Sequence, residues 1–148
     1  LPTDFSVAKP AVNFISLLPG FTLKNKSAIK KWIISSIKKE KKQAGEIAVV
    51  FCSDEYLLEI NRKYLNHNYL TDIISFQNSD IQSVSGDLLI SIDRVSENAA
   101  KLKIDFKDEL HRVIIHGILH FCGYKDKSPI HKKQMTRKED YYLNLRTF

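Results

Sequence analysis

Little in this sequence provides for holding a chain together by anything other than a packed core. Its 148 residues include two cysteines, Cys52 and Cys122. Each lies inside an apolar run without the paired spacing of a disulfide framework, so both read as reduced core thiols. No apolar stretch approaches the roughly 18 residues that a bilayer span requires, and the N-terminus lacks the basic-then-apolar pattern of a secretory signal. These absences point to a cytosolic protein with no membrane partner. The chain opens on Leu1 rather than on methionine, which suggests a processed N-terminus, and no element is assigned to Leu1–Lys9. Internal repeats, low-complexity tracts and long Pro/Gly/Ser linkers are missing too, so residues 1–148 read as a single domain.

What is present fits a globular fold. Hydrophobic residues make up 43% and charged residues 27%, which argues against a disordered or fibrous chain. The formal charge of +6 is unevenly spread. Residues 24–42 carry eight basic residues against one acidic, residues 43–100 three against nine, and residues 101–148 eleven against six. Two basic segments bracket an acidic middle, a distribution suited to binding a polyanion. A lysine-rich helix face that is merely solvated is the plainer reading of the first segment.

Val12–Leu17 is β-rich and ends at Pro19-Gly20, a turn signal. From Ser27 to about Lys42, Ile29, Trp32, Ile33 and Ile37 recur at helical spacing with lysines between them, and Gly45 is read as closing that helix. Glu46–Cys52 reads as a strand, and Ser53 caps a helix reaching about Tyr64. Asp72–Phe76 and Asp87–Ile92 read as an antiparallel pair joined by a polar loop containing Gly86. Asp93 opens a helix to about Leu102, Asp105 caps one running to Gly123, and Ser128-Pro129 starts a last one through about Leu145. The expected class is α+β, a small mixed sheet of about four strands packed with about five helices.

His116 and His120 stand four residues apart on the helix that starts at Asp105. They share a sector with Glu109, Arg112 and Val113, while Leu110, Ile114, Gly117, Ile118 and Phe121 form a separate apolar arc. Two imidazoles one turn apart can reach one metal ion. Gly123 lets the helix end and the chain turn, and Asp126 follows three residues later as a candidate third ligand. Two histidines and a carboxylate form a catalytic zinc set that leaves a coordination position open. Asp126 as an ordinary loop carboxylate, and His131 as a substitute ligand, are the alternatives. The glutamate that follows the first histidine in H-E-x-x-H proteases is absent, Gly117 taking its place, which disfavours peptide hydrolysis.

The run His116-Gly117-Ile118-Leu119-His120-Phe121-Cys122-Gly123-Tyr124 resembles the H-G-x-L-H-L-x-G-Y signature of the YbeY family. Leu70-Thr71-Asp72-Ile73-Ile74-Ser75-Phe76 is similar to its P-T-D-V-L-S-F segment, Gly86-Asp87-Leu88-Leu89-Ile90-Ser91 to its G-D-I-x-I-S strand, and Asn61-Arg62-Lys63-Tyr64 to its L-N-x-x-Y helix end. The resemblance implies an α+β endoribonuclease that matures ribosomal RNA, with one Zn²⁺, single-stranded RNA as substrate and the small ribosomal subunit as partner. Two positions depart from the pattern. Asp126 stands where the family has its third histidine ligand, and Leu65 where it usually has an arginine implicated in activity. Arg112, on the histidine face, is the best candidate to supply that charge as a catalytic residue, ahead of Arg62, Lys63 and Lys125. The rival to an enzyme is an RNA-binding ribosome-assembly factor without catalysis, whose zinc is structural.

Overall fold

The computed structural model describes residues 10–79 and 83–148. Leu1–Lys9 and residues 80–82, within the loop expected before Gly86, lie outside the described residues. The order is β1 (Ala11–Ser16), α1 (Lys26–Lys39), β2 (Gln43–Cys52), α2 (Asp54–Leu65), β3 (Ile73–Gln77), β4 (Ser83–Ser91), α3 (Ile92–Leu102), α4 (Phe106–Phe121) and α5 (Pro129–Asn144). Four strands form one sheet in the order β1-β2-β4-β3. β1 pairs parallel to β2 and β2 parallel to β4, whereas β3 and β4 are antiparallel, so the sheet is mixed as expected.

Strand alternation divides the apolar residues between two layers. Val12, Ile47, Val49, Leu88 and Ile90 join Ile29, Ile33 and Ile37 of α1 and Ile114 and Ile118 of α4 in the main core. On the other side of β3 and β4, Ile74 and Cys52 pack with Leu57 of α2 in a smaller cluster flanked by Ile60, Phe76 and Leu89. Both cysteines are free; burial pushes the Cys52 thiol up to about 12 and the Cys122 thiol up to about 11. Among the described residues, no helix is long and apolar enough to cross a membrane.

Several boundaries differ from the sequence reading. α1 stops at Lys39 because Lys41 takes a left-handed conformation (φ 61°), sending its N–H to Lys38 O and that of Lys42 to Ile37 O. This is the closure usually made by glycine, here made by lysine. Gly45 therefore does not end a helix. It lies within β2, where the register against β4 shifts between Ala44 and Ile47. Gly86 likewise belongs to β4 rather than to a loop; a Cβ there would run into the Phe76 carbonyl and the Phe121 ring. α3 is capped by Ser91, whose Oγ accepts from Arg94 N, so Asp93 falls in the first turn instead.

Trp32 ties α1 to α5 by donating from Nε1 to Tyr142 O at 2.9 Å. Beside it, His111 is buried against the Trp32 and Phe148 rings with Nδ1 2.6 Å from Arg146 Nη1. Burial, reinforced by Arg146, pushes its imidazole down to about 4. The unfolded chain thus takes up a proton before the folded one does. Stability carried by neutral His111 is expected to be complete above the ordinary histidine range and to disappear as pH falls towards about 4, a loss of roughly 3 kcal/mol. Urea unfolding across this pH range checks it: the wild type should lose more stability on acidification than His111→Phe.

Candidate metal centre

The centre is built where α4 meets the sheet and then turns back. Leu110, Ile114, Ile118 and Phe121 bury the apolar arc of α4, and Gly117 lets its backbone press close to the strands. A Cβ at Gly117 would stand 2.6 Å from Leu88 Cδ2 and 2.8 Å from Ile73 Cδ1. That close seating fixes the neighbouring sector, in which the rings of His116 and His120 lie 5.0 Å apart between centroids.

The helix ends in a Schellman turn. Tyr124 N donates to Leu119 O at 3.1 Å and Gly123 N to His120 O at 3.0 Å, with Gly123 at φ 107°. Nothing crowds that position, so glycine is required by its backbone angle alone. The chain beyond is anchored by Glu40, the C-cap of α1. Glu40 accepts hydrogen bonds from the Tyr124 and Tyr142 hydroxyls and pairs with Lys138 at 3.2 Å. Burial opposes ionisation of Glu40, but these donors outweigh it and hold the carboxyl below its ordinary range. Tyr124 is thus an anchor for the turn rather than a free stacking platform. The same contact sets the lysine-bearing end of α1 beside the turn that delivers Asp126.

Asp126 Oδ2 lies 3.1 Å from His116 Nε2 and 3.3 Å from His120 Nε2. Burial disfavours the Asp126 carboxylate, but His120 and His116 outweigh it and keep the carboxyl low, in the ionised form a ligand needs. One ligand atom from each of the three residues lies within 4.8 Å of the others, so the group can hold a metal ion. On the far side of its ring, His116 Nδ1 meets Glu139 Oε2 at 2.7 Å. Burial works against a charged His116, yet Glu139, together with Asp126 and Asp72, more than offsets it and raises its pKa. A carboxylate on the second ring nitrogen leaves Nε2 as the free donor and fixes the ring, as in known metal sites. The donor set and its backing therefore fit a metal.

The structure brings Arg112 to a cavity that His116, Asp126 and Glu139 also line, but commits it. Its Nη1 donates to Glu139 Oε1 and its Nη2 to Asp140 Oδ1, each at 3.0 Å. His131 is not brought in: it sits in the first turn of α5, where its N–H caps onto Ser128 Oγ, and lines a separate cavity of about 330 Å³ with Tyr124, Lys125 and Gln134. Leu65 ends α2, 39% exposed, and Arg62 is spent on Asn68 Oδ1 at 2.6 Å. Glu139 was missed by the sequence reading. Its signal is the inward stripe of α5, where Met135, Glu139 and Tyr142 are buried at helical spacing. Asp72 also lines the cavity.

The fold and site define a mixed-sheet α+β domain whose central helix ends in a two-histidine, one-carboxylate group able to hold a metal ion. The comparison with known proteins is more specific. Residues 21–146 match the family described as endoribonuclease YbeY, and the chain belongs to that family. It is 49% identical over 129 residues to the endoribonuclease YbeY of Cytophaga hutchinsonii, covering 86% of this chain and 90% of that protein. It is 50% identical over 125 residues to that of Flavobacterium psychrophilum, covering 84% and 89%. The solution structure of a Thermotoga maritima protein shares the fold, with a TM-score of 0.63 at 24% identity over 90% of this chain and 87% of that one.

Proposed function

We propose that this chain is a zinc-dependent endoribonuclease that cleaves single-stranded RNA in the maturation of ribosomal RNA, acting in the cytoplasm on the small ribosomal subunit. The observation that carries the reading is the convergence of His116, His120 and Asp126, backed by Glu139, in a member of this family. Nitrogen and carboxylate donors suit one Zn²⁺, which when bound supplies Lewis acidity towards water and a phosphoryl oxygen. An aspartate in place of a third imidazole adds a negative charge and tempers that acidity.

The rest is done by the chain's own groups. Glu139 holds the His116 ring through Nδ1. Arg112 acts as a positioning residue, since both its Nη atoms are bound to carboxylates and one of these is Glu139. The cationic flanks, residues 24–42 and 101–148, bind the RNA backbone in a salt-sensitive way.

The test is zinc-loaded against chelator-treated protein on single-stranded ribosomal RNA. Cleavage is expected only with metal, with strand binding kept in both samples and weakened by salt. Binding by both samples and cleavage by neither would leave a ribosome-assembly factor with a structural metal. Equal cleavage by both would overturn the metal-dependent reading.

A further inference from the structure

Carboxylates around the centre outnumber the groups that satisfy them. A cavity of about 240 Å³ is lined by Asp72, Glu109, Arg112, His116, Asp126 and Glu139. Asp126 faces the two imidazoles, and Glu139 is held by Arg112 and His116. Arg112 is further divided between Glu139 and Asp140. That leaves Asp72 and Glu109, neither of which makes an ion pair among the described residues.

Glu109 is the sharper anomaly. It is only 5% exposed, and its Oε1 is buried without a hydrogen-bond partner. Burial, then the neighbouring Asp72, pushes its carboxyl above the ordinary range, and Arg112 offsets only part of this. Burial raises Asp72 as well, while its own and the Ile73 backbone N–H groups favour its charged form. A buried carboxylate without a partner, as at Glu109, is costly, and a second carboxylate on the same cavity, Asp72, makes a positive charge beside them favourable.

We infer that Asp72 and Glu109 hold a second divalent cation, a hard, hydrated ion of the Mg²⁺ or Mn²⁺ class, distinct from the ion of His116, His120 and Asp126. Oxygen-only donors select such an ion, whereas the imidazole pair selects zinc. Magnesium-type ions are commonly bound through one or two carboxylates and keep several waters. The cavity is large enough to admit such an ion together with waters of its own. The inference rests on the RNA-cleaving reading for its use: a second ion would add positive charge where a phosphate approaches the first.

The probe is Mn²⁺, titrated by electron paramagnetic resonance into the zinc-loaded chain, with zinc counted by mass spectrometry in the same sample. One Mn²⁺ per chain is expected. In Glu109→Gln and Asp72→Asn it should bind at least tenfold more weakly with the zinc count unchanged, and in His120→Ala it should persist although zinc is lost. No Mn²⁺ on the wild type, or equal affinity in all the carboxamide variants, would overturn the second site and show that a proton or water satisfies Glu109. Absence of zinc from the wild type would instead count against the first centre, and Mn²⁺ that responds to Glu109→Gln would still support the second.

Discussion

Replacing His116 by alanine is expected to strip the metal from the protein and to lower RNA cleavage on the order of a thousandfold, more than the roughly 10–100-fold cost of losing an outer partner. His116 is the residue on which the site's two carboxylates meet, Asp126 at Nε2 and Glu139 at Nδ1. Its removal takes away a donor and leaves two acidic groups facing each other without the ring between them. Glu139→Gln is the graded comparison. It keeps the ligand but exchanges the acceptor behind it, so metal should still bind, about 10–100-fold more weakly. Metal content by mass spectrometry and cleavage of single-stranded RNA, with circular dichroism to confirm folding, would check both variants. Unchanged metal stoichiometry in His116→Ala would mean that the ion is held elsewhere.

The difference between these two residues is also the difference between what could and could not be read from the chain. His116, His120, Gly123 and Asp126 fall within one helix end and one turn, where spacing alone determines geometry. Glu139 reaches His116 only because α5 folds back along α4, a tertiary event for which the local sequence offers a buried acid on a helical stripe and nothing more. The same limit applies to the fold. Element types and the β3/β4 hairpin follow from periodicity and turn residues. The order β1-β2-β4-β3 depends on which strands find each other across crossovers, and no residue pattern specifies that.

Packing, rather than local residue preference, sets several of the element ends. Gly45 and Gly86 read as punctuation in the sequence, yet both lie inside strands where a neighbouring residue comes too close for a Cβ. The left-handed positions that end α1, α2 and α3 are occupied by Lys41, Asn66 and Lys103. Lysine rarely adopts that conformation, so its sequence carries no stop signal. Packing elsewhere holds these residues where their own preferences would not.

Gly117→Glu is expected to have the largest effect on stability, although on paper it would complete the H-E-x-x-H motif. Position 117 is on the apolar arc of α4, turned away from the His116 and His120 sector. A first side-chain carbon there meets Leu88 Cδ2 at 2.6 Å, Ile73 Cδ1 at 2.8 Å and Leu88 Cδ1 at 2.9 Å. Leu88 is fully buried, so it has nowhere to retreat without lifting α4 from the sheet. Overpacking of this kind costs about 1–3 kcal/mol. Forcing an unpaired carboxylate into the same apolar layer adds several more, for a total comparable with the roughly 5–15 kcal/mol that holds a domain folded. The variant should therefore be largely unfolded, or melt more than roughly 10 °C below the wild type. Gly117→Ala, which bears the overpacking alone and regains about 1 kcal/mol of helix propensity, should remain folded with a smaller fall. Thermal unfolding of the three proteins by circular dichroism checks the series. A Gly117→Glu protein melting within a few degrees of the wild type would show that α4 can rise from the sheet. If it then cleaved peptides, the glutamate's absence would be a matter of chemical selection. The close approach to Leu88 and Ile73 makes it a matter of packing: the seating of α4 that aims its histidines at Asp126 also excludes the protease's proton acceptor from this helix.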